Sequence, residues 1–134
     1  MSGNDANFDC IQEFLTALQT RETGESIRRF FHPEALQIEL PNRLNPNGGQ
    51  SDLAALRKRS ELAAQMMRSQ TWEIRSVVSN GERVAVEALW AGTLAVQLGT
   101  LEPGAVMKAH FAMFFEFRDG LIFRQRNYDC FEPW

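Results

Sequence analysis

HFAMFFEFRDGLIFRQRNYDCF, His110 to Phe131, holds two alternating apolar stretches around an Asp-Gly pair, and their register decides which side chains share the interior. A slip of one residue carries every side chain of a strand to the other face. If Asp119-Gly120 alone forms the loop, Phe111, Met113, Phe115 and Phe117 share a face with Tyr128, Arg126, Arg124 and Ile122, burying two arginines among phenylalanines. If Arg118-Asp119-Gly120 is a three-residue loop with Gly120 left-handed, the same four join Asn127, Gln125, Phe123 and Leu121, and Ala109 pairs with Asp129. The second register costs less. It predicts an apolar face carrying Gln125, Asn127 and Asp129 as an aligned polar row, backed by a face with Glu116, Arg124, Arg126, His110 and Tyr128.

The same test applied to Ser79-Asn80-Gly81 groups Trp72, Ile74 and Ser76 with Val84, Val86 and Ala88, sets Glu73 against Glu87, and lets Trp90 continue the apolar face. Turn chemistry at Asn80-Gly81, Pro103-Gly104 and Asp119-Gly120 divides the C-terminal half into an antiparallel meander of four long strands. Upstream, Phe8, Ile11, Phe14, Leu15 and Leu18 recur at helical spacing over about 5–20, with Asp5 as cap. SIRRFF continues as a short helix that His32-Pro33 ends, and LQIEL, 36–40, alternates as a half-buried strand with Glu39 toward solvent. PNRLNPNGGQ, 41–50, is a loop, and a helix over about 51–69 follows, capped by Ser51 with Leu53, Leu56, Ala63 and Met67 on one stripe. Helices first and strands afterwards predict one α+β domain over 1–134, its helices laid across a curved antiparallel sheet.

Composition narrows the function classes. A 134-residue chain that is 44% hydrophobic and 23% charged has the balance of a soluble globular domain. Its net charge of −3 argues against a nucleic-acid partner, and Arg57-Lys58-Arg59, the one basic run, reads as a solvated helix face. Cys10 and Cys130 stand apart with no C-x-x-C spacing, and neither phosphate-binding glycine loops nor metal-ligand clusters occur, so no metal and no cofactor are expected. VAVEALWAGTLAV is interrupted by Glu87 and Gly92 and is too short to span a membrane. The start has no signal-peptide pattern, and the default placement is cytoplasmic.

Converging polar groups in an apolar concavity are the usual makings of a small-molecule site. Asp129 is the candidate catalytic residue: turned inward among Phe and Trp, its pKa rises and it can shuttle protons. Gln125 and Asn127 would orient a substrate oxygen, and Trp72 and Trp90 would form pocket wall or core. The alternative is that Asp129 lies past the buried part of its strand and only accepts backbone hydrogen bonds. His110 is turned outward by the preferred register and becomes a partner of Asp129 only in the other.

FLTALQTRETGESIRRFFHPEALQIELP, GGQSDLAAL, VVSNGERVAVEALWAGT and HFAMFFEFRDGLIFRQRNYDCFEPW together resemble the nuclear transport factor 2-like superfamily, nearest to its SnoaL-like branch. The resemblance implies a cone, with helices enclosing a pocket against a strongly curved sheet, dimeric through the outer sheet face. It also implies a small hydrophobic ligand, contacted by Phe14, Phe111 and Met113 besides Trp72, Trp90, Gln125 and Asn127. Members include ketosteroid isomerases, polyketide cyclases, limonene epoxide hydrolases and scytalone dehydratases. Where the isomerases carry a tyrosine, a base and a second acid, this chain has Phe14, Leu40 with Glu39 one step off, and Met113. The cyclase acid falls near Asn127, two residues from Asp129, and its histidine partner at Met113 rather than His110. Of the epoxide hydrolase set, Glu87, Asn42 and Asp129 have counterparts, but the arginine and tyrosine do not. The expected functions are therefore acid/base catalysis through Asp129, of isomerase, cyclase, dehydratase or epoxide hydrolase type, or ligand binding or dimerisation without chemistry.

Overall fold

The computed structural model describes residues 3–134, with side chains from Ala6 onward. Helices α1 (Gly3–Gln19) and α2 (Glu25–Arg28) lead into strands β1 (Phe31–Glu39) and β2 (Gly49–Asp52), and α3 (Leu53–Met66) precedes strands β3 (Met67–Asn80), β4 (Arg83–Leu94), β5 (Val106–Arg118) and β6 (Leu121–Phe131). The strands form one six-stranded sheet in the order β2-β1-β6-β5-β4-β3. The expected meander β3 to β6 is present, and β1 joins it in parallel beside β6, so the curved sheet is mixed and unclosed. The helices pack on it as an α+β fold.

Several boundaries differ from expectation. His32-Pro33 ends no helix: α2 stops at Arg28 and both residues lie inside β1. Pro33 is tolerated because β2 pairs only with Leu36–Glu39 and the β1–β6 register shifts between Phe31 and Leu36, so its missing N–H interrupts no ladder. The glycine-rich loop ends in β2, which its composition hides. Asp52 rather than Ser51 caps α3, its carboxylate accepting from the Ala55 N–H at 2.9 Å. The Asp5 cap lies outside the described side chains.

Both hairpins turn more tightly than expected and correct themselves with a bulge. In β5–β6, Arg118 pairs with Leu121, so Asp119 (φ 55°) and Gly120 (φ 74°) form a two-residue loop of the mirror-image type that Asp-Gly favours. That turn alone would send Arg124 and Arg126 inward. The register shifts between Phe117, paired with Ile122, and Glu116, paired with Arg124, leaving Phe123 as the extra residue. Beyond the bulge Phe115 faces Gln125, Met113 faces Asn127, and Phe111 faces Asp129. The polar row keeps its expected face, but Asp129 is opposite Phe111 rather than Ala109, and Ile122 is buried in place of Leu121 and Phe123. The bulged Phe123 ring has the Arg118 and Arg124 guanidiniums 3.7 and 3.8 Å from its centroid.

β3–β4 repeats the device. Asn80 pairs with Arg83 around Gly81-Glu82, and a bulge at Arg75 returns Ile74 and Trp72 to face Ala88 and Trp90. Ser76 consequently sits opposite Glu87, while Val77, not Ser76, joins the interior beside Val86, and Glu73 faces Leu89. The larger core cluster joins Ile11, Phe14 and Leu15 of α1 to Phe115, Phe117 and Ile122. A smaller one gathers Met67, Trp90, Leu94, Met107 and Ala109. Trp72 and Phe111 pack against both.

Candidate functional site

A cavity of about 520 Å³ opens between α1, α3 and the inner sheet face, the volume of an ordinary small-molecule site. Of the residues singled out by sequence, Asp129, Phe14, Phe111, Trp72 and Trp90 line it. Met113, Gln125 and Asn127 are not among its lining residues: Met113 and Gln125 are 1% and 2% exposed, beneath the floor.

The polar row is divided in its duties. Gln37 Nε2 donates to Gln125 Oε1 at 3.1 Å, and Gln125 Nε2 donates to Asn127 Oδ1 at 3.0 Å. Both ends of the Gln125 amide are thus occupied by protein. Asp129 continues the row but leaves it chemically. Phe111 lies across from it and Phe131 follows on its own face, with the Trp90 ring 6.2 and 6.0 Å from those two centroids. Its Oδ1 is buried without a hydrogen-bond partner among the described residues. Burial, then the repulsion of Glu39, pushes the carboxyl from 3.8 up to about 7, against a smaller opposing pull from Arg59. Near neutrality it therefore exists in both protonation states.

Glu39, expected toward solvent, lines the cavity, its side chain only 11% exposed. Arg59, expected on a solvated face, is the reason: its Nη2 meets Glu39 Oε1 at 2.5 Å, and its Nη1 donates to Ser51 Oγ at 3.0 Å and Gln37 Oε1 at 3.3 Å. Asn42 Nδ2 donates to the other Glu39 oxygen at 2.7 Å. β1 alternation places Glu39 on the same face as Gln37, and that face looks at α3 rather than at water. Strand pattern alone does not contain this, because the covering cation comes from a helix twenty residues on.

Gln70, absent from the sequence-level candidates, also lines the cavity. His110 is turned outward as expected, 61% exposed and 3.0 Å from Glu132. Among the described residues, no three His, Cys, Asp or Glu side chains converge as a metal site requires, and no helix is long and apolar enough to cross a membrane.

Helices packed over a curved, unclosed sheet, with a cavity between, define the nuclear transport factor 2-like class of α+β folds. The chain belongs to the SnoaL-like domain family, whose sequence profile matches residues 11–125. No curated protein matches the chain. Among solved structures, it is similar to AclR, a candidate hydroxylase from Streptomyces galilaeus, at 15% identity and a TM-score of 0.79, covering 97% of this chain and 82% of that one. It is similar to IdmH, a candidate polyketide cyclase from Streptomyces antibioticus, at 19% identity and 0.76, covering 92% and 91%. TerC, co-crystallised with polyporic acid, gives 19% identity and 0.72, covering 95% and 92%. At these identities the likeness is one of fold.

Proposed function

We propose that the chain binds a small hydrophobic molecule in this cavity and that Asp129 acts on it as a general acid or base, in an isomerisation, cyclisation, dehydration or epoxide hydration. The observation that carries the reading is a carboxyl pushed up to about 7 in a ring of Phe111, Phe131 and Trp90, with a buried oxygen that no described protein group satisfies. A general acid or base works best when its pKa lies near the operating pH. The family and the likeness to a candidate polyketide cyclase support a small-molecule role. Binding without turnover is the second reading, favoured by the apolar character of Phe14, which lines the cavity and supplies no second proton-transfer group. Exposed Phe114 and Tyr128, edge to face at 5.6 Å on the outer sheet face, support a homodimer.

Native mass spectrometry of the purified protein reports subunit number and any co-purified molecule together. Conversion of that molecule is expected to fall by about 100-fold or more in Asp129→Asn. Equal conversion by the variant removes Asp129 from the mechanism, and release of unaltered ligand by both proteins favours binding alone.

A further inference from the structure

Gln70 stands at the start of β3, opposite Gly92 and two residues before Trp72 on the same face. Trp72 Nε1 donates to Gln70 Oε1 at 3.1 Å, and Trp90 Nε1 donates to the same oxygen at 2.9 Å. Indole N–H groups only donate, so the atom they share has to be the amide oxygen. Two independent donors thereby fix which way round the amide sits. Its Nε2, with two protons, has no acceptor among the described residues and is not one of the buried unpartnered atoms, and Gln70 lines the cavity.

Gly92 makes the clamp possible. A Cβ there would come within 2.4 and 2.6 Å of the Trp90 ring, which lies across the glycine to reach Gln70. Gly92, which interrupts the apolar run of β4, is the floor on which the indole rests.

Resting on the small-molecule reading of this cavity, we infer that Gln70 is a specificity-determining residue whose amide N–H groups hydrogen-bond an acceptor oxygen of the ligand, a carbonyl or an ionised hydroxyl on an aromatic or otherwise planar body. The planar body is suggested by the aromatic lining: Trp72 and Phe111, edge to face at 4.8 Å, and Trp90 and Phe131, edge to face at 6.0 Å, all border the cavity. A site built around a fixed donor discriminates against an analogue lacking the acceptor, because the donor is then left unpaired.

The test uses 9-fluorenone and fluorene, planar tricyclic probes that differ by one carbonyl oxygen, with binding followed by tryptophan fluorescence or calorimetry. Wild type is expected to favour the ketone by about tenfold. Gln70→Glu keeps an acceptor for both indoles and loses the donor at neutral pH, so the preference for the ketone collapses while the thermal unfolding midpoint stays close to wild type. Gly92→Ala, which displaces the Trp90 ring, is expected to reduce the preference by severalfold. Equal binding of both probes by wild type, or an undiminished preference in Gln70→Glu, overturns the role of Gln70 and leaves the cavity reading standing. Binding of neither probe overturns both.

Discussion

Gln125 and Asp129 occupy the same strand and the same face, yet protein surroundings have made them different objects. Gln125 is 2% exposed and hydrogen-bonded at both ends of its amide, held by Gln37 from the parallel neighbour β1 and by Asn127 from its own strand. Asp129 sits among aromatic rings with a buried oxygen unpartnered among the described residues, and its carboxyl takes up a proton near neutrality. Burial by itself therefore does not make a reactive group. A buried polar side chain becomes structural when its neighbours complete its hydrogen bonds, and available for chemistry when they do not.

The largest effect is expected from erasing what puts both residues inside. Inserting an alanine between Glu116 and Phe117 gives Phe123 a partner and turns the bulge into a regular pair while the Asp119-Gly120 turn remains, which directs Arg124 and Arg126 inward and Gln125 and Asp129 outward. Burying these arginines in the apolar interior while Met113 and Phe115 turn outward costs several kcal/mol, so the insertion variant is expected to lose its cooperative unfolding transition in circular dichroism. A native-like transition in that variant means that the sheet finds another way to restore its register. Next comes the contrast in activity: Asp129→Asn loses about 100-fold or more in turnover, whereas Gln125→Leu is expected to keep most of it.

Stability should run the other way. Gln125→Leu strands the Gln37 Nε2 donor and the Asn127 Oδ1 acceptor and is expected to lose about 2–3 kcal/mol in urea unfolding, a loss below about 0.5 kcal/mol being incompatible with a structural amide row. The smallest expected effect is the pH dependence of Asp129. Its folded pKa, about 7, exceeds the ordinary 3.8, so between those values the folded chain binds a proton that the unfolded chain has lost. Stability consequently falls as pH rises from about 4 to 7 and then levels. Relative to Asp129→Asn, wild type is expected to be about 2 kcal/mol less stable at pH 8 and equal to it near pH 3, the full value of such a shift being discounted because the cavity is open to water. Parallel denaturant melts of the two proteins across that range measure the difference, and a pH-independent gap would contradict the raised carboxyl.

The face of the polar row was legible in the sequence because burying Arg124 and Arg126 among phenylalanines is too costly, whatever the turn. The turn itself was misread for an instructive reason. Parity can be restored either by a third loop residue or by a bulge farther along, and both satisfy the same pattern of apolar and charged positions. Asp119 can adopt a left-handed conformation, which allowed the tighter turn. Glu39 was misplaced because strand alternation says which side chains share a face without saying what covers it. Gln70 carried no sequence signal beyond its spacing from Trp72, since its role depends on Trp90 reaching over Gly92 from the next strand.

Apolar periodicity and turn chemistry, which are local, were enough to determine the α+β class, the C-terminal meander and the inward face of Gln125, Asn127 and Asp129. Tertiary structure decided which of those polar groups are satisfied. Their partners are remote in sequence, as Gln37 is from Gln125 by 88 positions, and only the packing of α3 and β1 against the sheet brings Arg59 and Glu39 close enough to act on the Asp129 carboxyl.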